Sequence, residues 1–241
     1  MNGQGGRGPV LAIRDLDSYY AELQILRQLS LDLGDGEMVA LFGPNGHGKS
    51  TLLKAVAGIH PPKSGTIQYR GREISRLPSE KIVEMGVAYI PEARNLFPEM
   101  TVVENLNLGA YNRRARKNLH RNLDWVFSLF PRLEERKDQV ASTLSGGESR
   151  MVAVGRGLMS GASLLLIDEP SIGLSPMMKK GVFDAIGHIK RETEVSILIV
   201  EQEVDYPLKL ADRVYLLKKG RILFEKPSSE VTKAEIEKAY F

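Results

Sequence analysis

Gly43-Pro44-Asn45-Gly46-His47-Gly48-Lys49-Ser50 matches the pattern G-x-x-x-x-G-K-[ST], and no other segment constrains the fold of this chain as strongly. It follows Met38-Val39-Ala40-Leu41-Phe42, a continuous apolar run of the kind that forms a buried central strand. It precedes Leu52, Leu53 and Val56, which are spaced as on a helix face. Strand, glycine-rich turn and helix, in that order, let backbone N–H groups converge on phosphate oxygens. The helix N-terminus adds partial positive charge. The segment therefore predicts a nucleotide cradle holding ATP and Mg2+, made by Gly43, Asn45, Gly46, Gly48, Lys49, Ser50 and Thr51. Lys49 is placed to reach the β- and γ-phosphates, Ser50 to ligate Mg2+, and Thr51 to reach the α-phosphate. His47 stands at a variable position of the pattern and is assigned no chemistry.

The remainder of the chain supports an α/β fold. Residues 10–42 alternate apolar and polar positions around a Gly34-Asp35-Gly36 turn, which predicts two or three strands. The first helix is expected to stop at Gly58, ahead of Pro61-Pro62. Residues 64–75 read as a short hairpin, and Val87–Ile90 as a strand. From Thr101 to Met159 the pattern turns helical. It opens on a Thr101–Glu104 capping box and carries an apolar stripe at Trp125, Val126, Leu129 and Phe130. Strand–helix alternation then returns with Leu164–Ile167, a crossover helix over Gly173–Arg191, and Val195–Val200. A hairpin around Lys219-Gly220 and a helix from about Thr232 close the chain. This is the pattern of a mostly parallel sheet covered by helices.

The chain has 241 residues, enough for one large domain with an inserted lobe. It contains no cysteine, so disulfides and thiolate metal sites are excluded. Its net charge of +3 is too small to argue for nucleic acid. The basic cluster Arg113, Arg114, Arg116, Lys117 and Arg121 reads as a solvated helix face rather than a binding patch. No apolar run approaches the roughly 18–20 residues of a membrane span. Residues 1–9 form a glycine-rich stretch without signal-peptide character and are expected to be a flexible tail. The expected location is the cytoplasm, with any membrane contact made through partners.

A phosphate loop of this kind requires a carboxylate for the metal, at the end of an apolar strand. Leu164-Leu165-Leu166-Ile167-Asp168-Glu169 supplies it: Asp168 for Mg2+, and Glu169 as general base towards the attacking water. A second loop, Leu144-Ser145-Gly146-Gly147-Glu148, precedes a helical stretch and makes another anion site. Two phosphate-binding edges and one complete pocket suggest ATP sandwiched between two subunits.

The order of these three segments resembles the ATP-binding subunits of ABC transporters, over about Val10 to Phe241. The resemblance implies a RecA-like P-loop core with a mostly parallel sheet and a small antiparallel β lobe, over residues 10–91 and 160–241. It also implies a helical lobe inserted at residues 92–159. The subunits would dimerise head to tail, with Ser145, Gly146, Gly147 and Glu148 of one closing on the γ-phosphate of the other. Tyr20 resembles the aromatic that stacks on adenine, with Tyr19 as its neighbouring competitor. Three positions depart from the family pattern. Glu92 replaces the junction glutamine that touches Mg2+ and water, and either ligates the metal or swings out when ATP binds. Gln202 replaces the histidine that senses the γ-phosphate, and Ser175 replaces an aspartate after the catalytic acid.

Together with Phe-Pro-Glu-Met-Thr-Val-Val-Glu-Asn-Leu and Val-Glu-Gln, these departures resemble the smaller ATPase of branched-chain (hydrophobic) amino-acid importers. Urea-type importers stand close behind. The implied partners are a second ATP-binding subunit, identical or related, transmembrane permease subunits gripped near residues 92–105, and indirectly a solute-binding protein. A soluble ATPase acting on nucleic acid or ribosomes is the competing class. Such relatives usually carry two cassettes or a long coiled coil, and neither pattern is present here.

Overall fold

The computed structural model describes residues 8–240. Residues 1–7, most of the expected tail, lie outside the described residues, as does Phe241.

The chain begins with β1 (Leu11–Tyr20), β2 (Leu23–Leu33) and β3 (Met38–Phe42), so the first alternating stretch yields three strands. Next come α1 (Lys49–Val56), β4 (Ser64–Tyr69), β5 (Arg72–Glu73), α2 (Ser79–Glu84) and β6 (Val87–Ile90). The helical stretch holds α3 (Val102–Gly109), α4 (Arg113–Lys117), α5 (Leu119–Leu129), α6 (Pro131–Glu135) and α7 (Gly146–Met159). The chain then runs through β7 (Leu164–Asp168), α8 (Pro176–Glu192), β8 (Ser196–Glu201), α9 (Pro207–Leu210), β9 (Arg213–Lys218), β10 (Arg221–Pro227) and α10 (Lys233–Tyr240).

These strands form two sheets. The larger has the order β10-β9-β3-β8-β7-β6, parallel except for the antiparallel edge strand β10. The smaller, β2-β1-β4-β5, is antiparallel throughout. Alternation of side chains along the central strands divides the interior in two. Met38, Ala40, Phe42, Leu165, Ile167, Ile197 and Ile199 face one core, shared with α3, α5, α7 and α8. Val39, Leu41, Leu164, Leu166, Leu198 and Val200 face the other, shared with α1 and the small sheet. β3, β7 and β8 are buried at every position, which is why they read as unbroken apolar runs.

α1 ends where expected, with Gly58 at φ +69° just beyond its cap. The Thr101 capping box at α3 is formed in both directions, the hydroxyl accepting from Glu104 N–H and the Glu104 carboxylate from Thr101 N–H. One boundary differs from expectation. The crossover helix begins at Pro176, not Gly173, because Gly173 is left-handed and Ser175 caps the helix by accepting from Met178 N–H. Pro176 at the first helical position reinforces that start. Arg113, Arg116, Lys117 and Arg121 are exposed, as a solvated face requires.

Candidate nucleotide site

The C-terminal ends of β3 and β7 deliver the site. β3 runs into the glycine loop, and α1 leaves it carrying Lys49, Ser50 and Thr51 in its first turn. Gly48 has φ +108°, and a Cβ there would lie 2.7 Å from Leu26, so both conformation and packing demand glycine. Lys49 is folded back over the loop and is 3% exposed. Its ammonium donates to the carbonyls of Gly43 at 2.7 Å and Pro44 at 3.2 Å, and it pairs with Glu169 at 2.9 Å. Ser50 Oγ donates to Asp168 Oδ1 at 2.9 Å, so the two predicted metal-facing residues converge.

Tyr20, Asn45, Gly46, Gly48, Lys49, Ser50, Thr51, Glu92 and Glu169 line one cavity of about 350 Å3. Tyr20 therefore sits with the phosphate loop, its ring stacked on His60 with centroids 4.3 Å apart. Tyr19 is engaged elsewhere, under the Lys63 ammonium. Glu92 is exposed at the exit of β6 and borders the loop, while Gln202 is exposed immediately after β8. Burial pushes the Asp168 carboxyl up, opposed by hydrogen bonds from Tyr89 and Ser50. His47 is pushed down by burial and by neighbouring Lys49, Lys218 and Lys219.

Ser145, Gly146, Gly147 and Glu148 are not among the residues lining this cavity. They form the start of α7, where Ser145 accepts from Glu148 N–H and the Glu148 carboxylate accepts from Ser145 N–H. Glu148 also pairs with Arg136 at 2.9 Å and Arg132 at 3.4 Å. Its side chain thus shapes the loop from within, while Ser145 is exposed, Gly146 half-buried and Gly147 buried.

Three contacts were absent from the sequence reading. Tyr89 donates to Asp168 Oδ2 at 2.8 Å, occupying the oxygen that Ser50 leaves free. Arg150, 1% exposed, donates from α7 to the carbonyls of Pro91 at 2.9 Å and Glu92 at 2.6 Å. Its guanidinium also lies 3.5 Å from the Glu169 carbonyl. Glu201, 2% exposed, accepts from Ser171 N–H at 3.0 Å beside Glu169, and burial pushes its carboxyl up to about 7. Aromatic, basic and acidic residues occur at many positions, so no pattern distinguished these three.

A glycine cradle between a buried strand and a helix, an acidic strand end beside it, and a capped glycine loop on a separate helix define an ATP-binding cassette. Residues 26–172 match the family described as ABC transporter, and the chain belongs to that family as an ATP-binding subunit.

Among its relatives is the high-affinity branched-chain amino acid transport ATP-binding protein BraG of Pseudomonas aeruginosa. The two are 41% identical, covering 96% of this chain and 99% of BraG. The probable branched-chain amino acid transport ATP-binding protein LivF of Archaeoglobus fulgidus is 37% identical, covering 91% of this chain and 93% of LivF. Among solved structures, an ATP-binding subunit of an ABC transporter superposes with a TM-score of 0.81 at 26% identity, covering 96% and 99% of the two chains. A nucleotide-free cassette superposes with a TM-score of 0.81 at 24% identity, covering 96% and 94%, a likeness of fold alone.

Proposed function

We propose that this chain hydrolyses MgATP in a two-cassette assembly and thereby drives uptake of branched-chain or other hydrophobic amino acids through a membrane permease. The convergence of Lys49 and Ser50, which follow β3, with Asp168 and Glu169, at the end of β7, carries the ATPase reading. The names of the relatives at 41% and 37% identity support the cargo.

The γ-phosphate displaces Glu169 and the loop carbonyls as partner of the Lys49 ammonium. Glu169, once released, accepts a proton from the attacking water. Gln202 donates its amide to the γ-phosphate without adding charge. Tyr20 stacks on the base. Mg2+ suits the oxygen donors present, because it is held by one or two carboxylates together with substrate phosphates. Ser50 and Asp168 would hold it, with Glu92 close by, and it would neutralise charge on the phosphates. Ser145, Gly146 and Gly147 of a second subunit, identical or related, close over the γ-phosphate. ATP binds the closed pair better than the open one, and that difference is what shifts the transporter's equilibrium.

Among the described residues, no helix is long and apolar enough to cross a membrane. In this reading the chain sits on the cytoplasmic face of the membrane, held there by its permease. A helix of that permease docks near residues 92–105.

The test is reconstitution with permease and binding protein in vesicles. ATP-dependent leucine uptake is expected, and it should vanish with Glu169→Gln while ATP binding persists. Uptake of urea but not leucine would overturn the cargo, and unchanged turnover in the variant would overturn the role of Glu169.

A further inference from the structure

The last turn of α10 reaches the catalytic end of the main sheet. The Tyr240 phenol donates to the backbone carbonyl of Gln202 at 2.9 Å. Gly43 opens the phosphate loop directly after β3, and Gln202 directly follows β8. These strands are parallel neighbours, with Phe42 paired to Glu201. One hydroxyl therefore holds the exit of β8 at Gln202, next to the strand that opens into the phosphate loop.

α10 is seated for this task. Ile236 is fully buried in the same core as Val204. Lys233 donates to both carboxylate oxygens of Asp205 at 2.8 Å. Lys226, on β10, pairs with Glu235 at 2.6 Å. The segment after β8 is thus braced by α10 at Gln202, Val204 and Asp205, while the Gln202 side chain stays exposed. Tyr240, Gln202, Glu201 and Glu169 line a common cavity of about 510 Å3.

We propose that Tyr240 is a positioning residue for ATP hydrolysis, fixing the Gln202 main chain so that the Gln202 amide meets the γ-phosphate. The inference rests on the role given to Gln202 above. Replacement by phenylalanine keeps the ring and removes the hydrogen bond to Gln202.

The experiment is a double-mutant cycle on the full chain, reading steady-state ATPase activity, ATP affinity by calorimetry and thermal stability. Tyr240→Phe should lower kcat roughly 3- to 10-fold, the effect of one misplaced hydrogen bond. ATP affinity should stay within about twofold, because the phosphate loop itself is intact. In the Gln202→Ala background the same substitution should cause no further loss. An equal loss in both backgrounds would overturn the proposal, since Tyr240 would then act independently of Gln202. An unchanged kcat in the otherwise native chain would overturn it as well. Normal turnover of Gln202→Ala alone would instead refute the role of Gln202, which the cycle reads separately.

Discussion

At the scale of single residues, the resting site is a set of internal pairs that ATP must exchange. Lys49 and Glu169 are both buried and bonded to each other. Removing one strands the other, because a buried charge without a partner is costly. Lys49→Ala is expected to lower ATP affinity by about 100-fold or more, since the β- and γ-phosphates lose their ammonium. Calorimetry checks this, and equal affinity would refute the cradle assignment. Glu201 presents the opposite case. Burial, with Glu169 and Glu203 nearby, holds its carboxyl near 7 rather than 4.5, although Ser171 works against the shift. Between those values the folded chain keeps a proton that the unfolded chain releases, so stability falls as pH rises through that window. Glu201→Gln should remove that loss, a relative gain on the order of 2 kcal/mol at pH 8 over pH 4.5. Denaturant melts at the two pH values measure it.

At the scale of elements, helix starts place the chemistry. α7 begins at a capping box that turns Glu148 inward and leaves Ser145 exposed and Gly146 half-buried. From its second turn, Arg150 grips the carbonyls of Pro91 and Glu92, where the helical stretch leaves the sheet. The same helix therefore carries the capped glycine loop and grips the chain at Glu92, which borders the phosphate loop. α8 begins at Pro176 and is capped by Ser175, a role that aspartate would fill equally well. α3 offers a stability test remote from the phosphates. Thr101→Ala removes a hydroxyl cap and should cost about 1 kcal/mol. A calorimetric scan should show Tm lower by about 2–4 °C, with ATP turnover unchanged.

At the scale of the whole molecule, the described chain holds one complete phosphate cradle and a second edge that contributes nothing to it. In the proposed reading a second subunit, identical or related, uses both. If it is identical, Glu169→Gln with ATP should run as a dimer in light scattering, and the native chain with ADP as a monomer. A monomer under both conditions would rule out pairing of this chain with itself. α3, α5 and α7 share one core with a face of the main sheet.

The sequence by itself determined whatever is local. The cradle, the acidic strand end, the capped glycine loop and the strand–helix order were legible because each requires a few adjacent residues of set type. Backbone amides that converge on one phosphate must be neighbours in the chain. Tertiary structure alone decided which distant groups meet. Lys49 bonds Glu169, Tyr89 holds Asp168, Arg150 ties α7 to Glu92, and Tyr240 reaches Gln202. It also placed Tyr20, not Tyr19, in the cavity with the glycine loop. Each of these contacts needs one side chain at the right point of a packed surface, and a single residue leaves no periodicity or spacing to read. The phosphate loop was therefore visible from its own residues, whereas its resting partners became visible only when the two cores brought the strand ends together.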